Sequence, residues 1–162
     1  MRILIASDTH GRDETLEKAI KASGKLDLLI HAGDVHNSED YIRAIAGCPA
    51  QIVRGNNDYF APRLPDELEF TLGKYKVFLT HGYTYCVNAG YETLRREARA
   101  RGANIVIFGH THRPFMEEKK DLIVLNPGSL SYPRQQGSEA TYILMTLDEN
   151  GKAVFELKTV PR

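Results

Sequence analysis

Seven residues of this 162-residue chain carry oxygen or nitrogen donors in a recurring local setting. Asp8, His10, Asp34, Asn56, His81, His110 and His112 each lie just after a short apolar run, close to a glycine or another small residue. Carboxylates, an amide carbonyl and imidazoles without thiolates suit Mn, Fe, Co, Ni or Zn. Seven donors exceed what one tetrahedral ion needs and fit two ions that share a bridging carboxylate. Paired ions roughly 3.5–4 Å apart serve in-line displacement at phosphorus, with a bridging hydroxide as the nucleophile. Gly33, Gly55, Gly82 and Gly109 let the backbone turn and approach the ions closely.

The elements that must position these residues are legible in the hydrophobic pattern. Ile3–Ala6, Leu26–Ile30 and Gln51–Arg54 read as buried strands. Helices over about Asp13–Ala22, closed by Gly24, and over Ser38–Ala46, with Ser38 as N-cap and Gly47 at the end, alternate with them. This rhythm predicts a parallel sheet covered on both faces. Residues 57–65, with Pro62 and Pro65, read as loop. Leu68–Leu72 and Val77–Thr80 form a hairpin across Gly73-Lys74, followed by a charged helix over about Ala89–Arg101 that Gly102 stops. Ile105–Phe108, Leu122–Leu125, Thr141–Leu147 and Ala153–Val160 read as strands, the last two joined by a turn at Glu149-Asn150-Gly151. The expected architecture is a single α/β domain over residues 1–162, with two stacked sheets and helices outside. In an open α/β sheet, ligands sit beyond the carboxyl ends of the strands, where the seven residues fall.

Composition narrows the function classes. Lys plus Arg and Asp plus Glu each total 21, so the formal net charge is zero. Bulk attraction to nucleic acid or an anionic membrane is therefore absent, and any anion site must be built locally. Cys48 and Cys86 are far apart and read as unpaired thiols, as in a reducing compartment. The N-terminus lacks a signal-peptide pattern and no apolar run reaches membrane length, so a soluble cytoplasmic protein is expected.

Taken together and in order, Asp8-x-His10, Gly33-Asp34, Gly55-Asn56-x-Asp58, His81-Gly82 and Gly109-His110-x-His112 resemble the calcineurin-like metallophosphoesterases. Their spacing, with Asn126-Pro127-Gly128-Ser129, is most similar to the small YfcE/MJ0936-type phosphodiesterases, over Arg2 to about Ser131. The resemblance implies a four-layer α/β/β/α sandwich and a binuclear centre of two divalent transition-metal ions. Manganese is the first choice; nickel, cobalt, iron and zinc are also suited. It implies one ion on Asp8, His10, Asp34 and His112, and another on Asp34, Asn56, His81 and His110, with Asp34 bridging. The implied activity is hydrolysis of a phosphate-ester small molecule or nucleotide; no membrane partner is expected, zero net charge argues only weakly against nucleic acid, and self-association is left open. Asp58 takes a position that usually orients the ligands.

One residue departs from the family pattern. Many members carry a histidine after the asparagine ligand, where it contacts phosphate and protonates the leaving group. Here Asn57 stands in that place and donates hydrogen bonds without being an acid near neutral pH. Asn57 and Asp34 are therefore the catalytic candidates, with diesters or activated esters favoured over ordinary monoesters. The rival reading is an interaction scaffold similar to the retromer's metallophosphoesterase-like subunit, whose ligands are partly lost; this chain keeps all seven.

Other residues carry blander expectations. His31 reads as a hydrogen-bonded core histidine and His36 as a solvated loop residue near the mouth. The arginines of 95–101 read as a solvated helix face paired with Glu92 and Glu97. Tyr83 and Tyr85 read as pocket walls or partly buried rings, Arg134 as exposed or within reach of a phosphate, and Asn126-Pro127-Gly128 as a turn.

Overall fold

A computed structural model describes residues 1–161. Alternating side chains of the central strands point to opposite faces, and both faces are apolar, so each strand is covered twice. In β1 (Arg2–Ala6), Ile3 and Ile5 face one way while Leu4 and Ala6 face the other. All four are fully buried.

Helices α1 (Glu14–Ser23) and α2 (Glu39–Ala46) cross between β1, β2 (Leu28–His31) and β3 (Ala50–Ile52), which pair in parallel. The antiparallel strands β9 (Thr141–Leu147) and β10 (Ala153–Thr159) complete a sheet of order β10-β9-β1-β2-β3. The second sheet has the order β4 (Glu67–Leu72), β5 (Tyr75–Thr80), β6 (Ile105–Ile107), β8 (Ile123–Pro127), β7 (Pro114–Glu118). Its hairpin of β4 and β5 leads through α3 (Glu92–Ala100) to β6. There β5, β6 and β8 run parallel, with β7 antiparallel at the edge.

Ile3, Ile5 and Ile30 meet Val77, Leu79, Ile105 and Ile107 between the sheets. Leu4 and Leu29 pack outward with Leu16, Ala19 and Ile42, on the α1 and α2 side. Phe78 and Val106 pack outward with Leu94 and Ala98 of α3. The result is the expected α/β/β/α sandwich.

The differences from expectation have local causes. Strand β7 escapes the sequence because Pro114 opens it and charged residues follow. Proline is tolerated there as the first residue of an edge strand. Helix α3 begins later than expected because Gly90, at φ 142°, cannot belong to a right-handed helix. Ser38 stands at the N-cap position, but its hydroxyl donates to the Val35 carbonyl (2.7 Å), with Asp13 Oδ1 3.2 Å away, instead of capping α2. Arg54 leaves β3 to hydrogen-bond the Pro65 carbonyl at 2.8 Å and pair with Asp66. The expected helix pairing holds for Arg95 with Glu92 and for Arg101, just after α3, with Glu97 at 2.7 Å, whereas Arg99 turns to Asp121.

Phe78 anchors the α3 layer, edge-on to Tyr85 and with the Arg101 guanidinium 4.2 Å above its ring. Phe78→Ala should cost about 3–5 kcal/mol of stability, read as a lowered urea midpoint.

Candidate metal centre

Strands β1, β2, β3, β5 and β6 release their chains at one edge of the sandwich, and all seven donor residues are found there. The loops are strained in the same places. Asp8, His10, Asp34, His110 and His112 all have φ between 47° and 67°, a left-handed region that residues with a Cβ rarely adopt. Close approach requires glycine at positions 55 and 109 in particular. A Cβ at Gly55 would lie 2.1 Å from Asp34 Oδ1 and 2.4 Å from the Asp34 backbone nitrogen. At Gly109 it would lie 2.0 Å from Ser7 Oγ.

One donor of each of Asp8, His10, Asp34 and His112 falls within 4.8 Å of the others. His112 Nδ1 donates to the Tyr132 carbonyl at 2.8 Å, which leaves the Nε2 lone pair facing inward. That Nε2 lies 3.1 Å from Asp8 Oδ1 and 3.3 Å from His10 Nε2. Asp8 Oδ2 accepts from Ser7 Oγ at 2.6 Å and from the His110 backbone at 3.2 Å. Asp8 Oδ1 is buried with no hydrogen-bond partner. A carboxylate oxygen without a partner, the His112 lone pair and the His10 imidazole thus converge on one small volume, an arrangement that calls for a cation. The residues fit a divalent metal.

Asn56, His81 and His110 gather on the other side of Asp34. His81 is held by a 2.7 Å hydrogen bond from Nδ1 to the Ala32 carbonyl, with Nε2 3.0 Å from Asn56 Oδ1 and 3.5 Å from Asp34 Oδ2. His110 Nδ1 is 2.8 Å from the same amide oxygen.

Supporting residues fix these positions. Asp58, buried at 1% exposure, accepts backbone N–H bonds from Asp34, Gly55 and His36 at 2.7–2.8 Å. Asn57 donates to Asp34 through its backbone N–H (2.8 Å) and its Nδ2 (2.7 Å). Its amide is thus engaged with the carboxylate and not turned outward. Asn126-Pro127-Gly128-Ser129 is more than a turn. Asn126 Nδ2 donates to the Gly109 carbonyl and Thr111 Oγ1, while Ser129 and Ser131 hydroxyls both bind the Asp8 carbonyl.

His36 is exposed, as expected of a loop residue. It also meets His10, with Nε2 3.0 Å from His10 Nδ1, which the sequence did not resolve. The sequence reading also passed over Tyr132 and Asn88. Nothing in their types marks them, because one acts through its main-chain carbonyl and the other reaches His110 Nε2 from a distant loop (2.9 Å).

The electrostatics agree with the geometry. Burial opposes the charge on Asp34, but His81 and Asn57 outweigh it and hold the carboxyl well below the usual range. Burial lowers His10 and His110, whereas the two carboxylates raise His81 despite its burial.

His31 is a core histidine as expected. Nδ1 accepts from the Gly33 N–H (3.2 Å), so Nε2 carries the proton toward Thr9 Oγ1 (3.3 Å). Burial pushes it down to about 4. Below about pH 6.5 the unfolded chain therefore binds a proton that the folded chain refuses, and stability falls until about pH 4. The loss from this group is about 3 kcal/mol. Urea midpoints in chelator should show that decline, and His31→Gln should flatten it. Equal slopes in both proteins would remove His31 from the titration.

Comparison with known proteins agrees with the geometry. Residues 1–150 match the calcineurin-like phosphoesterase superfamily domain. The chain is 36% identical over 155 residues to the "Probable metallophosphoesterase YsnB" of Bacillus subtilis, covering 95% of this chain and 89% of that one. It is 28% identical over 171 aligned residues to the "Phosphodiesterase YfcE" of Escherichia coli K12, covering 91% and 89%. A crystal structure of a predicted phosphoesterase from Streptococcus pneumoniae TIGR4 superposes with a TM-score of 0.83 at 29% identity, over 98% of this chain and 88% of that one. The chain belongs to the calcineurin-like phosphoesterase superfamily, and its buried His/Asp cluster is a metal-dependent phosphoesterase site.

Proposed function

We propose that residues 1–162 form one catalytic domain, a binuclear phosphodiesterase of the small YfcE/MJ0936-type group that works in the cytoplasm. The observation that carries this reading is the division of seven donors into two sets around Asp34, whose Oδ2 lies 3.7 Å from His10 and 3.5 Å from His81. Asp8, His10, Asp34 and His112 would hold one ion and Asp34, Asn56, His81 and His110 the other, with Asp34 common to both sets. Manganese is the first choice. Bound ions supply charge neutralisation at the phosphoryl oxygens and lower the pKa of water.

The chain's own residues hold this arrangement in place. Asp58 fixes the backbone of the Asp34 and Gly55 loops, and the Asn57 amide aligns the Asp34 carboxylate. Asn57 provides no acid, so departure of the alcohol depends on its own acidity. That favours diesters and activated esters, in keeping with the name of the Escherichia coli relative. The two free cysteines agree with a reducing compartment.

Chelator-stripped protein reloaded with Mn, Ni, Co or Zn should cleave bis-p-nitrophenyl phosphate faster than p-nitrophenyl phosphate. Asp34→Asn should lower kcat at least about 100-fold while the circular dichroism spectrum is kept, since it removes a ligand shared by both ions. Near-normal turnover in that variant would overturn the bridge. Monoester preference would overturn the role given to Asn57.

A further inference from the structure

One feature beside the site is left unexplained by the metal ligands. A cavity of about 200 Å³ is lined by Val87, Asn88, Tyr91, Thr111, Arg113 and Arg134. Asn88 joins it to the centre, because its Nδ2 reaches His110 Nε2 at 2.9 Å.

The two arginines differ from most of those on and just after α3. Arg95, Arg99 and Arg101 are all neutralised by carboxylates. Among the described residues, neither Arg113 nor Arg134 has an ion-pair partner. Both are held at the backbone. The Arg113 N–H reaches Thr111 Oγ1 at 3.3 Å, and the Arg134 N–H donates to the His112 carbonyl at 2.9 Å. Tyr132, two residues before Arg134, accepts from His112 Nδ1. Pro114 and Pro133 stiffen the two arginine positions from the flanks. The backbones of two exposed arginines without ion-pair partners are thus fixed to the loop that carries His110 and His112, in a chain with no net charge to attract anions in bulk.

We infer that this cavity is a second-anion subsite, in which Arg113 and Arg134 bind an additional phosphate on the substrate while Asn88 marks the border with the metal centre. The inference rests on the phosphoesterase reading and narrows its substrates to phosphate esters with a second phosphate on the alcohol moiety. Guanidinium groups bind such oxygens in pairs, and two of them match a dianion better than a monoanion. A terminal phosphate and the next diester of a short oligonucleotide offer the same oxygens, so both are tested.

The experiment uses the metal-loaded enzyme and three p-nitrophenyl esters: thymidine 5′-(p-nitrophenyl phosphate), its 3′-phosphorylated form, and the corresponding dithymidylate. The 3′-phosphate should raise kcat/KM by roughly 10-fold or more over the parent, and by more than the dithymidylate does. Arg113→Gln with Arg134→Gln should bring that ratio to about 1. Arg96→Gln, an equal charge change on exposed α3, should leave it as in the wild type. A wild-type ratio near 1, or a ratio the double variant keeps, would overturn the subsite. A dithymidylate preference abolished by the double variant would keep the subsite and overturn the terminal-phosphate assignment.

Calorimetry on the same metal-loaded protein separates the two readings. Thymidine 3′,5′-bisphosphate should bind at least about 10-fold tighter than thymidine 5′-phosphate, with the gain lost in the double variant. If bis-p-nitrophenyl phosphate is not cleaved with any metal, the phosphoesterase reading fails. The binding comparison then still decides the subsite, and equal affinities would remove it.

Discussion

Bringing electron-rich atoms together against their mutual repulsion is the constraint on which the rest of this structure depends. Asp8 Oδ1, buried without a hydrogen-bond partner, shares one small volume with the inward nitrogens of His10 and His112. A chain does not collapse into such an arrangement by hydrophobic burial alone. Rigid strands must deliver the donors and cannot relax away, which is the service of the two apolar layers that cover each sheet. The carboxyl ends of the parallel strands concentrate the strain at one edge and leave the core to ordinary packing.

The strain is visible in the backbone and is offset by hydrogen bonds that have no other purpose. Five of the donor residues take left-handed φ values, a conformation costing about 1–2 kcal/mol for a residue with a Cβ. Asp58 spends its carboxylate on three main-chain N–H groups, and Ser129 and Ser131 converge on the Asp8 carbonyl. These contacts fix loops that would otherwise relax. A cation then finds a site already ordered, and its binding energy is not consumed in ordering the loops.

The donors, the main elements and the layered fold were legible because they are local. Ile3–Ala6 is apolar throughout, and a strand buried on both faces must be. Asp-x-His and His-x-His after strands place donors where the chain leaves a sheet. Some contacts were not legible because they join distant residues through groups that residue type does not reveal. The His112–Tyr132 bond uses a main-chain carbonyl, and the Asn57–Asp34 pairing depends on which way an amide turns. Strand β7 was hidden by its proline and its charges, since an edge strand needs no apolar signature on its outer side.

Two of the donor histidines are aimed by main-chain carbonyls, His81 by Ala32 and His112 by Tyr132, whereas His10 meets the imidazole of His36. A carbonyl is present whatever side chain the residue bears. The aim of His81 and His112 is therefore insulated from point mutation at the residue that provides it. His10 has no such insurance. Sequence drift at position 36 reaches the centre directly, while drift at 32 and 132 reaches it only if the backbone moves. Of these three supporting positions, 36 is thus the one whose side chain the centre itself constrains.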